Sequence, residues 1–170
     1  NKEDLSLALS RHATSKISSI GDLTNINSLG FRGEALASIG SVSHLTIKSK
    51  FIAAGETFEI SSSYGEVKDV KPSQYLEGTL IEIKNLFKSI PARLKFLKTD
   101  RAEGISILEV VKKLALSNPE IGFKLYEIKD EGNPREILRL NSSTEPNSLS
   151  IRIKGVLKNA FMENSHQVDY

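Results

Sequence analysis

Two glycines three residues apart, Gly30 and Gly33, stand directly before a stretch that reads as a helix. Glycine lets the backbone turn tightly and lets a ligand come close to it. The first N–H groups of a helix have no partner inside it and point outward at the positive end of its dipole. A loop built this way accepts anions, and phosphate is the usual occupant. The segment in full is Gly30-Phe31-Arg32-Gly33-Glu34-Ala35-Leu36. Two better-known phosphate loops are ruled out: the chain has no G-x-x-x-x-G-K-[ST] and no G-x-G-x-x-G. A bare two-glycine loop is also an ordinary way to begin a helix. His12, His44 and His166 show no metal-ligand spacing, and His44, beside an alternating strand, reads as packing or surface.

The elements that must hold this loop can be read from periodicity. Residues 3–9 open with acid and carry Leu5 and Leu9 four apart, which predicts a short helix. Residues 12–19 are small and polar and read as a mobile connection. Asp22 is placed to cap a short helix over 23–28, and Gly30 to follow it as a helix-ending glycine. A helix over 33–39 comes next. Apolar and polar residues then alternate in 45–48 and 58–61, with Tyr64-Gly65 as a turn between strands 58–62 and 66–70. Residues 79–83 form another strand, opened by Gly78. Neighbouring strands with hairpin-length links imply a largely antiparallel sheet. Pro91 follows Ser89 at a helix start. Ile105, Leu108, Val111 and Ala115 mark an amphipathic helix ended by Asn118-Pro119. Residues 123–128 and 136–140 read as a hairpin around 130–134. Residues 141–147 hold no apolar side chain and are the expected linker. Beyond them, Leu149, Ile153, Val156, Leu157 and Ala160 suit a helix capped by Ser148, although 149–153 also alternates like a strand.

Composition sets outer bounds. A length of 170 residues fits one domain, or one and part of a second. Hydrophobic residues at 39% are enough for a core, and no apolar run approaches the ~20 residues of a membrane span. There is no cysteine, which excludes disulfides and thiolate metal sites and makes an intracellular setting the default. The polar, acidic start and the missing initiator Met are expected of a chain that begins inside a longer protein. A net charge of +2 is too weak to argue for nucleic acid by itself. Three local basic groups, Arg93/Lys95/Lys98/Arg101, Lys112/Lys113 and Arg152/Lys154/Lys158, read either as solvated faces or as contacts to a phosphate backbone.

Four motifs in order carry a resemblance. The heptad at 30–36 resembles the hallmark of the MutL family of mismatch-repair ATPases, relatives of gyrase, heat-shock chaperones and histidine kinases. Arg11-His12-Ala13-Thr14-Ser15-Lys16-Ile17 resembles that family's lid. Asn85-Leu86-Phe87-Lys88-Ser89-Ile90-Pro91-Ala92-Arg93-Leu94-Lys95-Phe96-Leu97-Lys98 is similar to its leucine-phenylalanine, proline-alanine-arginine, lysine-phenylalanine-leucine string. Gly78-Thr79 resembles its last nucleotide-site motif. The resemblance covers most of 1–160. It implies an α+β fold of the GHKL (Bergerat) type: a two-layer sandwich of helices on a mostly antiparallel sheet, incomplete here. Residues 1–140 would be the C-terminal part of the ATPase domain, 141–148 a linker and 149–170 the start of a truncated, S5-like second domain.

The resemblance also implies roles. Gly30, Phe31, Arg32, Gly33, Glu34, Ala35 and Leu36 would contact the triphosphate of ATP, mostly through backbone N–H. Glu34 reads equally as a dipole partner in the first helical turn, worth ~0.3–1 kcal/mol. Arg32 is either a lid-holding or a plain surface charge. Thr14, Ser15 and Lys16 would lie in the lid, where hydroxyls and an ammonium suit phosphate and metal-bound water. Thr79 would reach the adenine pocket, or be an ordinary strand threonine. The family's general-base glutamate, its Mg²⁺-binding asparagine and its adenine-reading aspartate have no counterpart in this chain. The fragment alone is therefore expected not to hydrolyse ATP, since a general base must sit within reach of its water. For the intact protein the resemblance implies ATP-switched homodimerisation, with DNA, a MutS-type mismatch sensor and a downstream nuclease or helicase as partners. It would have no membrane association, and a bacterial form would be cytoplasmic and nucleoid-associated. A rival reading takes Gly30-Phe31-Arg32-Gly33 as the GXXG loop of a KH-like nucleic-acid-binding module, for which the strand-rich 45–83 region is superfluous.

Overall fold

Leu5 and Leu9 lie one helical turn apart, so a helix at the start of the chain sets both on one side. In the computed structural model α1 spans Lys2–Ala8, with Glu3 and Asp4 in its first turn, where the dipole favours negative charge. Both leucines are buried. The structure describes residues 2–26, 28–51, 55–74, 78–129, 132–166 and 168. Asn27 of the expected 23–28 helix, and Asp130 and Glu131 of the expected hairpin loop, lie outside the described residues. The chain divides into two compact units, Asn1–Leu97 and Lys98–Tyr170, each described here by itself.

The first unit places α2 (Ala35–Gly40) before β1 (His44–Lys50), β2 (Thr57–Ser63), β3 (Glu66–Val67), β4 (Lys71–Pro72) and β5 (Gly78–Lys84). The strand order is β3-β2-β1-β5, with β4 also on β2, and every pairing is antiparallel. Tyr64 (φ 48) and Gly65 (φ 96) make the tight link from β2 to β3 with two left-handed residues, as a primed hairpin turn requires. Register sets the faces. Leu45 stands between Ser62 and Ile83, and Ile47 between Ile60 and Ile81. Leu45, Ile47 and Ile60 join Leu5 and Leu9 in one core, with Ala8, Leu36, Phe58 and Val70 packed against it. Burying each large aliphatic side chain contributes about 1.5–3 kcal/mol. Ile81 and Ile83 share the face of Leu45 and Ile47, yet are 45% and 44% exposed, because α1 lies over β2 and β5 is the sheet's outer strand. The short helix α3 (Pro91–Leu94) follows, with Pro91 at its first position, where a missing N–H costs nothing.

The second unit packs α4 (Asp100–Ser117) and α5 (Ser148–Glu163) with the antiparallel hairpin of β6 (Phe123–Glu127) and β7 (Arg135–Leu140). Its core is Ala115, Leu138, Leu140 and Val156, lined by Leu108, Val111, Leu116, Phe123 and Leu125. Thr99 caps α4 by accepting from the Ala102 N–H at 3.4 Å. Buried Arg152 ties α5 to the hairpin: its Nη2 lies 2.7 Å from the Pro119 carbonyl, 2.6 Å from Ile121 and 3.0 Å from Asn141. Its guanidinium also sits 5.5 Å from the centre of the Phe123 ring. No helix of the described residues is long and apolar enough to cross a membrane.

Several expectations need correction. The turn near Asp22 is a 3-10 helix over Ile20–Thr24, not a helix begun at Asp22, because Asp22 sits inside it and reaches back to its start. Gly30 consequently follows an irregular stretch and ends no helix. The 149–153 segment is helical, since Arg152 and Val156 must share the buried side of α5. Within the second unit the Ser143 N–H donates to the Pro119 carbonyl at 3.1 Å.

Candidate functional site

The 30–36 loop and the 11–17 segment meet at two points. Gly33 holds φ +65, a left-handed conformation that favours glycine. A Cβ at Gly33 would fall 2.1 Å from the Ala13 carbonyl oxygen, so the two backbones touch there. One residue away on each side, His12 Nδ1 lies 3.0 Å from Glu34 Oε1. His12 is itself left-handed at φ 64, which is uncommon for a residue with a side chain. The Glu34 carboxylate thus turns to the lid segment, and no side chain caps α2. The first intrahelical bond runs from the Ser38 N–H to the Glu34 carbonyl at 2.9 Å, so the N–H groups of Ala35, Leu36 and Ala37 precede the ladder. Leu36 packs its side chain on the core and leaves only its backbone for a ligand. Phe31 is half-buried and Arg32 exposed. Gly30 is unlike Gly33: a Cβ there meets nothing within 4 Å, and its carbonyl accepts from Ser28 Oγ at 2.9 Å.

Along the 11–17 segment, Thr14 is half-buried and its Oγ1 accepts from the Lys16 N–H at 3.2 Å, while Ser15 and Lys16 are exposed. Further on, Asp22 Oδ2 accepts from the Ser18 N–H at 2.8 Å, the Ser19 N–H at 2.9 Å and Ser18 Oγ at 3.0 Å. The backbone bond from Ser18 and then that from Ser19 lower the Asp22 carboxyl to about 2.

Thr79 stands on β5 directly across from Ser49 of β1, and their hydroxyls are 3.3 Å apart. Of the residues singled out by sequence, the structure brings Gly33 and Glu34 against the 11–17 segment and packs half-buried Leu36 against the core. Thr79 is paired with Ser49. Three neighbours were missed: His12, Ala13 and Ser49. His12 was read as part of the 11–17 motif and set aside as a metal ligand, but no role of its own was given to it, and its place two residues before Thr14 was the available signal. Ser49 emerges only once strand register is known.

The loop has features that suit an anion: its backbone is glycine-thin at Gly33, its N–H groups precede the helix ladder, and Arg32 and Lys16 are exposed positive charges. A divalent metal is a different matter. Among the described residues no three His, Cys, Asp or Glu side chains gather.

No family model matches the chain. It is 42% identical over 170 residues to the DNA mismatch repair protein MutL of Mannheimia succiniciproducens, which takes in 99% of this chain and 26% of that protein. Against the MutL protein of Agrobacterium fabrum it is 45% identical over 166 residues, 98% of this chain and 26% of that protein. Among solved structures it is similar to the Aquifex aeolicus MutL ATPase domain complexed with ADP, with a TM-score of 0.65 and 33% identity. That likeness covers 83% of this chain and 52% of the other. The likeness runs far beyond the GXXG loop, so the KH-like alternative is not favoured. The chain spans about a quarter of the length of the curated relatives it matches.

Proposed function

We propose, from the premise that this chain belongs to the MutL family of DNA mismatch-repair proteins, that it forms the lid, phosphate loop and supporting sheet of an ATP-binding region. The observation that carries the reading is the meeting of the 11–17 segment with Gly33 and Glu34, two stretches separated in sequence and joined at one place. The backbone N–H groups of 30–36 would donate to phosphate oxygens. Arg32 and Lys16 would balance their charge, and Thr14 and Ser15 would offer hydroxyls. Thr79, oriented by Ser49, would face the base. Bound ATP supplies a phosphoanhydride whose hydrolysis is downhill. Glu34 is the one carboxylate of the 30–36 loop, and it is held by His12. It is therefore a poor general base, and water would be activated by a residue outside this chain. Mg²⁺ would likewise draw its protein ligand from elsewhere.

On the same reading, residues 1–140 are the C-terminal part of the ATPase domain and 149–170 open a further, S5-like domain. The whole protein binds and hydrolyses ATP to switch homodimerisation of its N-terminal region, in the cytoplasm beside the nucleoid. It couples a MutS-type mismatch sensor and DNA to a nuclease or helicase. Calorimetric titration with a non-hydrolysable ATP analogue and Mg²⁺ tests the division of labour. Binding is expected by the full-length protein and not by the 170-residue chain alone. Comparable binding by both would mean that 30–36 and Thr79 suffice for affinity, and would overturn the assignment of essential groups to other segments.

A further inference from the structure

We propose that His12 is a positioning residue: with Glu34 it forms a clasp that seats Thr14–Lys16 over the glycine loop before nucleotide arrives. This rests on the ATP-site reading above and adds to it a residue which that reading does not use. Three independent features converge on the junction. His12 Nδ1 and Glu34 Oε1 are 3.0 Å apart. The Ala13 carbonyl fills the space that any side chain at position 33 would need. His12 and Gly33, one on each side of the junction, are both left-handed. Left-handed backbone at a residue with a side chain is strained and persists only where surroundings enforce it, typically at clamps and switches. Here the enforcing contacts are the His12–Glu34 pairing and the backbone abutment. Because Thr14 follows His12 by two residues and Lys16 by four, fixing His12 on Glu34 restricts where their hydroxyl and ammonium groups fall. The other end of the clasp is anchored as well: Leu36, two residues past Glu34, is packed against the core.

The clasp is a device of preorganisation. A lid already touching its loop loses less freedom when a ligand orders it, and affinity rises by that saving. The pair is open to solvent, with His12 78% and Glu34 37% exposed, so its contribution is no larger than that of an exposed surface pair. Such a coupling corresponds to about a two- to fivefold change in an equilibrium constant.

The experiment is a double-mutant cycle in the full-length protein, with His12→Ala, Glu34→Ala and the pair. Two readouts are taken: hydrogen exchange at the Ala13 and Thr14 amides without nucleotide, and calorimetric affinity for a non-hydrolysable ATP analogue. Each single variant is expected to speed exchange at Ala13 and Thr14, with the pair no faster than either single. The affinity changes should be non-additive by about two- to fivefold. His12→Gln, which keeps a donor to the carboxylate, should restore slow exchange in part. Unchanged exchange in the single variants, or strictly additive affinity changes, would overturn the clasp. A wild-type protein that binds no analogue would sink the ATP-site reading instead, while the exchange readout would still decide whether the clasp exists.

Discussion

At Gly33 the chain has room for no side chain at all. The backbone is left-handed, and the Ala13 carbonyl stands where a Cβ would go. Gly33→Ala must therefore push Ala13 aside and also hold an L-residue at positive φ, a strain of roughly 1–2 kcal/mol. The same change at Gly30 meets open space and should stay within about 0.5 kcal/mol of wild type. Urea midpoints of the two variants check this pair, and equal midpoints would deny the Ala13 contact. A second expectation concerns Asp22. Its carboxyl is lowered to about 2 by the Ser18 and Ser19 N–H bonds. A depressed carboxylate stabilises the fold above its unfolded value, and that contribution fades as pH falls through the folded one. The 3-10 turn should thus hold at pH 5 and loosen between about pH 4 and pH 2. Amide shifts of Ser18 and Ser19 followed through that window should show a step that Asp22→Asn removes.

The element whose attachment depends on one side chain is α5. Arg152 is 3% exposed, and its Nη2 reaches three carbonyls that have no other reason to converge. Hydrogen bonds from a charged donor are the stronger kind, and removing it leaves the Ile121 and Asn141 carbonyls without that partner. Arg152→Met keeps the bulk and loses the bonds, so it should cost about 3 kcal/mol, read from chemical denaturation. A loss below about 0.5 kcal/mol, the range of an ordinary surface change, would mean that Val156 and the hairpin hold α5 unaided. The contrast explains what could be read from sequence. Alternation in 45–48 and 58–61 showed β1 and β2 because one face of each meets a core. The three-and-four spacing of Ile105, Leu108, Val111 and Ala115 showed α4, though not its first turn, which depends on Thr99 and the charges after it. Arg152 was read as part of a basic surface group, because nothing in its neighbours says that three distant carbonyls would surround it. Asp22 was misplaced by one turn since a capping carboxylate works equally as the cap itself or from the third helical position. The Gly33–Ala13 contact was invisible for a plainer reason: backbone atoms make it, and no residue type announces that.

Taken whole, the chain has a sheet-based unit with the loop and lid, and a helix-and-hairpin unit with its own core. The phosphate-facing groups proposed here can hold and orient, but none is a free carboxylate beside the loop. Purified chain should accordingly show no ATP turnover above a Gly33→Pro control, and measurable turnover would require a base among its own residues. The position of β5 has a further consequence, and it concerns time. β1 is the middle of its sheet, flanked by β2 and β5, and the last residue of β5 follows the last residue of β1 by 34 positions. At a synthesis rate of roughly 5–20 residues per second, β1 waits on the order of seconds for its second neighbour to leave the ribosome. During that interval β1 has β2 on one side and an unsatisfied edge on the other, with Leu45 and Ile47 already made. A nascent chain with a half-built sheet is an early client for whatever guards emerging polypeptides.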